Sequence, residues 1–304
     1  MRRRTFLSAG AYTLAALARG ETSPPAPERP PVTLPPGDHL VSASLPLGSY
    51  IGAGAATRLV CAPTLDNLFN GTGTLALKDL ALVGNGRGAS YRSCFAAYVR
   101  DGLIDLDGVS LENFRSSYWV FGQRSRLRAR NVTAVSRPGN AINGAAITEQ
   151  SCLLVVVDGD LDVHESRFDC AYIKGAIALY GASRGSVARS TISEAGTSGE
   201  IADNAGAYAI LAYAEASGQP TLTVTDCVIN GARSCGIHAA SAARVEVRGT
   251  LFSRVTDRHD DTLPKAAISL NGSPDYLLSG NSFRDCCKNI VLATHTSRRE
   301  LVPE

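Results

Sequence analysis

The residues of this 304-residue chain best suited to chemistry sit in three polar segments. The first carries Arg137, Asn140 and Asn143, and the second carries Glu194, Glu200, Asp203 and Asn204. The third carries Asp257-Arg-His-Asp-Asp261, followed by Lys265. Carboxylates beside a histidine and arginines suit removal of a proton next to a sugar carboxylate. A cation neutralises that carboxylate while a base takes the C5 proton. In this chemistry His259 is the expected base and Asp260 orients it, with Arg137, Arg258 or Lys174 neutralising the substrate. Glu194, Glu200, Asp203, Asp257, Asp261 and Arg233 would line the groove. Asp257, Asp260 and Asp261 could instead hold calcium through oxygen ligands, but their spacing fits no defined loop and nothing in the sequence requires a cofactor. His164 and His238 are expected to face outward from strands, as surface histidines. No Cys/His pair has zinc-ligand spacing.

Side chains on long connections need a scaffold, and the sequence repeats one. Segments ending at 82, 111, 134, 168, 192, 229, 252 and 283 share apolar ends and a small or apolar residue two before the last, as in Val187-Ala-Arg-Ser-Thr-Ile192 and Val224-Thr-Asp-Cys-Val-Ile229. The intervals are 29, 23, 34, 24, 37, 23 and 31, so the shortest, 23, is the repeat and the excess is insertion. Repeats of that length built from short strands indicate a solenoid. Each segment is followed by a short apolar run, among them Tyr118-Trp-Val-Phe121, Ala146-Ile147 and Ala176-Ile-Ala-Leu179. With Trp119 aligned on Ile177, the gap to the next strand is usually ten. Alternation directs every second side chain inward and makes a small inward row of Leu80, Val109, Val132, Ser166, Ser190, Cys227, Thr250 and Asn281. The surplus residues fall in 135–146, 193–209 and 253–267, which should emerge at one corner of alternate coils about 10 Å apart and wall a groove. Lys174, Asp169, Tyr172 and Arg233 would stand near its floor.

The opening Val32-Thr-Leu-Pro-Pro-Gly-Asp-His-Leu-Val41, with Leu45-Pro-Leu, Tyr50-Ile-Gly-Ala-Gly54 and Thr57-Arg-Leu59, resembles the opening of the pectate-lyase-like superfamily. That resemblance spans 32–295 and implies an all-β fold, a single-stranded right-handed parallel β-helix of about eight to ten coils. Asp257-Arg-His-Asp260 is also similar to the Asp-Pro-His-Asp motif of β-helix mannuronan C5-epimerases, with Arg258 in the proline position. The fold alone leaves two classes open: a lyase or C5-epimerase of an acidic polysaccharide, and a non-catalytic β-helix that binds or scaffolds at the envelope.

Residues 1–18 begin with Arg2, Arg3 and Arg4 and continue through a weakly apolar stretch to Ala16-Leu-Ala18, a small-x-small cleavage pattern. Arg3-Arg4-Thr-Phe-Leu7 resembles a twin-arginine export signal, which implies a periplasmic or secreted protein similar to the Tat-translocated repetitive proteins. Residues 19–31 hold five prolines and read as an extended linker, and 296–304 as a charged tail. Without 1–18 the chain has 27 basic and 28 acidic residues, so its charge gives no reason to expect nucleic acid as partner. Nothing after the signal is expected to span a membrane. Among eight cysteines, buried thiols are expected, with a bridge from Cys170 or Cys235 as the exception. No exposed ladder of aromatic residues for stacking sugar rings is expected.

Overall fold

The computed structural model describes residues 30–86, 95–115, 118–140, 152–201, 206–255, 266–273 and 275–293. From residue 31 onward the chain is one compact unit. Among the described residues every strand-to-strand ladder is parallel, and the strands coil into three faces. One turn shows the plan. Tyr118–Gln123 lies on the first face, Arg126–Arg130 on the second and Thr133–Val135 on the third. The next turn repeats it with Cys152–Val157, Asp160–His164 and Arg167–Asp169. Two N-terminal turns are partial. Eight complete turns follow, of which the first two are the long strands Asn67–Val83 and Phe95–Glu112, each running through all three faces. Ile290–Ala293 begins one more. The chain is therefore an all-β parallel solenoid.

Alternation makes the strands. In Arg126-Leu-Arg-Ala-Arg130 and Thr221-Leu-Thr-Val-Thr225 the apolar residues point into the coil and the polar ones out. No turn could bury its apolar side alone, but stacking joins Leu127, Leu161, Leu222 and Val245 into one continuous core. The anchors Leu82, Leu111, Ala134, Phe168, Ile192, Ile229, Phe252 and Phe283 occupy one inward column of the third face, as their spacing predicts.

The small inward row is real and has a hydrogen-bonding function. Each member follows a residue in the left-handed region at the corner between second and third faces: Asp79, Gly108, Asn131, Glu165, Arg189, Asp226, Gly249 and Gly280. The amide of Val132 donates to Ser166 Oγ (3.1 Å), that of Ser166 to Ser190 Oγ (3.1 Å), and that of Thr250 to Asn281 Oδ1 (3.0 Å). A matching row at the preceding corner, between first and second faces, was not read from the sequence. There Ser125, Ser183 and Ser273 accept from the amides of Gly102, Gly159 and Ala242. Ser166→Ala leaves the buried Val132 amide without its acceptor, and a loss of about 1–3 kcal/mol in a urea titration is expected. An unchanged midpoint would show that the row is packing only.

Two alignments need correction. The first-face strand between Tyr118–Gln123 and Gly175–Tyr180 is Cys152–Val157, with Leu154 paired to both Val120 and Ile177. Ala146 and Ile147 lie outside the described residues. In addition, Val120, not Trp119, shares a register position with Ile177. Trp119 and Val120 are both buried in the core, because this strand turns two successive residues inward where it begins. The first connection is therefore 136–151, longer than the sequence suggested.

None of the seven described cysteines is in a disulfide. Five are buried, and burial pushes the Cys152 and Cys235 thiols up to about 12. No helix of the described residues is long and apolar enough to cross a membrane.

Candidate functional site

The long connections 136–151, 196–207 and 256–265 all leave the third face and return on the first, so their ends share one corner. They belong to alternate turns, and parallel strands about 4.8 Å apart set their roots about 10 Å apart. The intervening turns cross the same corner in 170–174 and 233–234.

Arg137, at the root of the first connection, is already engaged. Its Nη2 lies 2.9 Å from Glu112 Oε2, while Arg58 holds Glu112 Oε1 at 3.2 Å. Burial opposes ionisation of Glu112, but hydrogen bonds from Arg137 and Arg58 outweigh it and hold the carboxyl below its usual range. A substrate carboxylate would have to compete with Glu112 for Arg137. Asn140 is buried and caps the same turn, with Oδ1 accepting from the Arg137 amide at 2.7 Å.

Glu200 reaches from the second connection to the first, where its Oε2 accepts from the Gly139 amide at 2.9 Å. Two of the walls therefore touch across the intervening turn. Below that contact, the Tyr172 amide donates to Ser136 Oγ (3.0 Å) and the Ser198 amide to the Ala171 carbonyl (2.9 Å). Glu194 sits in the left-handed region and passes over Gly231 to pair with Arg254. Gly231 has φ +86°, and a Cβ there would stand 3.0 Å from that carboxylate, so a side chain at this position would be strained.

The structure does not bring together all the expected residues. Lys174 is only 2 % exposed and Arg233 only 5 %, so neither presents a cation at the surface of a groove. Arg233 Nη1 donates to the Ile201 carbonyl at 2.5 Å. His259, Asp260, Arg258, Asp257, Asp261 and Asp203 lie outside the described residues. Among the described residues no group of three or more His, Cys, Asp or Glu is placed to hold a metal.

His238 faces outward, as expected, but is not at the surface. It is 7 % exposed, with the Tyr208 ring centroid 4.9 Å away and Ser269 Oγ 3.2 Å from Nδ1, and burial drives its pKa down to about 4. The first face also carries outward aromatic residues. Tyr98 and Phe121 stack 5.0 Å apart at 4°, with Tyr118 tilted against Phe121 at 5.1 Å, so these rings spend their faces on one another. Tyr213 is 48 % exposed, and its ring is tilted against Tyr180 at 6.4 Å.

A second constellation lies on the second face. Arg126, Arg128 and Arg130 project from one strand, Asp162 and His164 from the next, and the corner residues Glu165 and Arg189 complete the lining of an open cleft of about 350 Å³. His164 Nε2 is 2.7 Å from Asp162 Oδ1, and Arg189 Nε donates to Glu165 Oε1 at 3.0 Å. The alternation Arg126-Leu-Arg-Ala-Arg130 is the sequence signal for it: on a strand it sets three guanidiniums on one side.

These features define a parallel β-helix with one corner of long polar connections and one charged cleft. No protein-family model and no curated protein sequence matches the chain. It is similar to the catalytic domain of a GH87 alpha-1,3-glucanase in complex with nigerose, at 12% identity and a TM-score of 0.40 over 88% of this chain and 64% of that one. The thermostable GH87 alpha-1,3-glucanase catalytic unit from Streptomyces thermodiastaticus strain HF3-3 gives 13% and 0.34 over 89% and 63%. The Azotobacter vinelandii mannuronan C-5 epimerase AlgE6 A-module gives 11% and 0.31 over 90% and 91%. The chain spans less than two thirds of the glucanase domains. All three likenesses are too distant to bear on its activity.

Proposed function

We propose that this is an exported β-helix protein of the cell envelope that binds or acts on polysaccharide along the corner of long connections. One observation supports this above the others: alternate turns lengthen the same corner and leave the other strands in register. Polar connections on a rigid scaffold are where binding residues concentrate. The twin-arginine pattern at Arg3-Arg4 supports export.

The finer reading is a lyase or C5-epimerase of an acidic polysaccharide, favoured by the segment Asp257-Arg-His-Asp260. There His259 is the base, Asp260 orients it and Arg258 neutralises the sugar carboxylate. Electrophoresis of the purified protein through gels containing acidic or neutral polysaccharide tests the coarser reading, and retarded migration is expected. Unretarded migration in every gel would overturn it. On any retarding polymer, unsaturated uronate is followed by absorbance and C5 inversion by NMR. His259→Ala is expected to lower a measured rate by about 10²–10⁴-fold. An unchanged rate would remove His259 from the site, and no turnover by the wild type would leave a binding protein.

A further inference from the structure

The cleft on the second face has the chemistry of a binding site. Its lining sets four guanidiniums against two carboxylates, +2 with His164 neutral. Arg189 is paired with Glu165, and Arg130 stands 4.0 Å from Asp105. Arg126 and Arg128 make no ion pair or side-chain hydrogen bond among the described residues, although Asp105, Asp107 and Asp160 stand on the flanking strands. Two guanidinium forks are thus open to a ligand.

The backbone singles out the same place. At the corner between second and third faces, the other left-handed positions of the column are Asp, Asn or Gly, residues that tolerate that conformation. Only the two turns at the cleft use long charged residues there, Glu165 at φ 51° and Arg189 at φ 46°. Arg124, Glu194 and Arg254 take the same conformation at other corners, but within this column only the two residues at the cleft do.

We infer that this cleft is a second glycan site, which takes the carboxylate of a sugar acid on Arg126 and Arg128. A guanidinium fork matches a carboxylate in two parallel hydrogen bonds. Asp162, Glu165 and the His164 ring then face the sugar hydroxyls, which donate to the carboxylates. A sulfate or phosphate dianion fits less well, because it brings charge and no donors toward Asp162 and Glu165. The inference rests on the reading that the chain meets polysaccharide, and it adds a site away from the corner.

Arginine modification by phenylglyoxal, read by mass spectrometry on the full chain, tests it. A trigalacturonate oligomer is expected to slow modification of Arg126 and Arg128 at least about 5-fold, while dextran and inorganic sulfate do not. Arg126→Gln with Arg128→Gln should weaken calorimetric binding of the oligomer at least about 10-fold with the melting temperature unchanged. Protection of Arg137 without Arg126 and Arg128 would overturn the second site and leave the corner reading standing. Equal protection by inorganic sulfate would overturn the carboxylate assignment. Protection of no arginine by any of the three, with unretarded migration in every gel, would overturn both readings.

Discussion

Replacing Trp119 by alanine is expected to destabilise the protein by about 3–5 kcal/mol, among the largest effects of any single side chain. Trp119 is fully buried and packs against Phe114, with ring centroids 5.6 Å apart. Neighbouring turns meet around it, so the space left behind cannot collapse without disturbing both. The indole Nε1, however, is buried with no hydrogen-bond partner among the described residues. Trp119→Phe removes that orphan donor along with some volume, and the two effects partly offset, so a loss of at most about 2 kcal/mol is expected. Urea titrations of the two variants at one pH check this. Equal losses would mean that the indole N–H is satisfied in solution.

The second large effect is on the pH dependence of stability, through His238. Burial holds its folded pKa at about 4, below the usual value of 6.5. Between those values the unfolded chain binds a proton that the folded chain refuses. Stability is therefore fully present above about 6.5 and is lost as pH falls toward 4. The whole window amounts to about 3 kcal/mol. His238→Gln cannot take up that proton, so its stability between pH 7 and pH 4 should fall less than that of the wild type by about this amount. Other titrating groups, among them Glu215 with its carboxyl raised by burial, act on both proteins alike and cancel in the difference. Parallel slopes for the two proteins would mean that His238 is hydrated and reachable.

The coil was legible because its signals are local. Apolar ends, a small inward residue and a fixed turn recur within each segment, and all eight anchors share one column. Failures came where local pattern is ambiguous. Ala146-Ile147 looks like Ala176-Ile177, yet the strand is Cys152–Val157, which offers the inward pair Leu153 and Leu154. Alternation gave the direction of His238 but could not tell what lies over it. The corner was legible as a place and not as a set of partners. Arg137 to Glu112, Glu194 to Arg254 and Gly139 to Glu200 join positions 25, 60 and 61 residues apart, which no local period encodes. The cleft escaped notice because its lining comes from three segments, 126–130, 162–165 and 189, which converge only when the turns stack.

At the corner, the connections range from the two residues between Ala232 and Cys235 to the whole of 136–151, while the strands on either side keep their pairing. Closing a longer loop is thermodynamically cheap, about 0.6 kcal/mol for each doubling of length. Each insertion leaves and rejoins within one turn, so the turns above and below still meet their neighbours. Loop length and composition can therefore change at this corner almost independently of stability, one loop at a time. The same stack of strands could carry a succession of different recognition surfaces without ever being refolded.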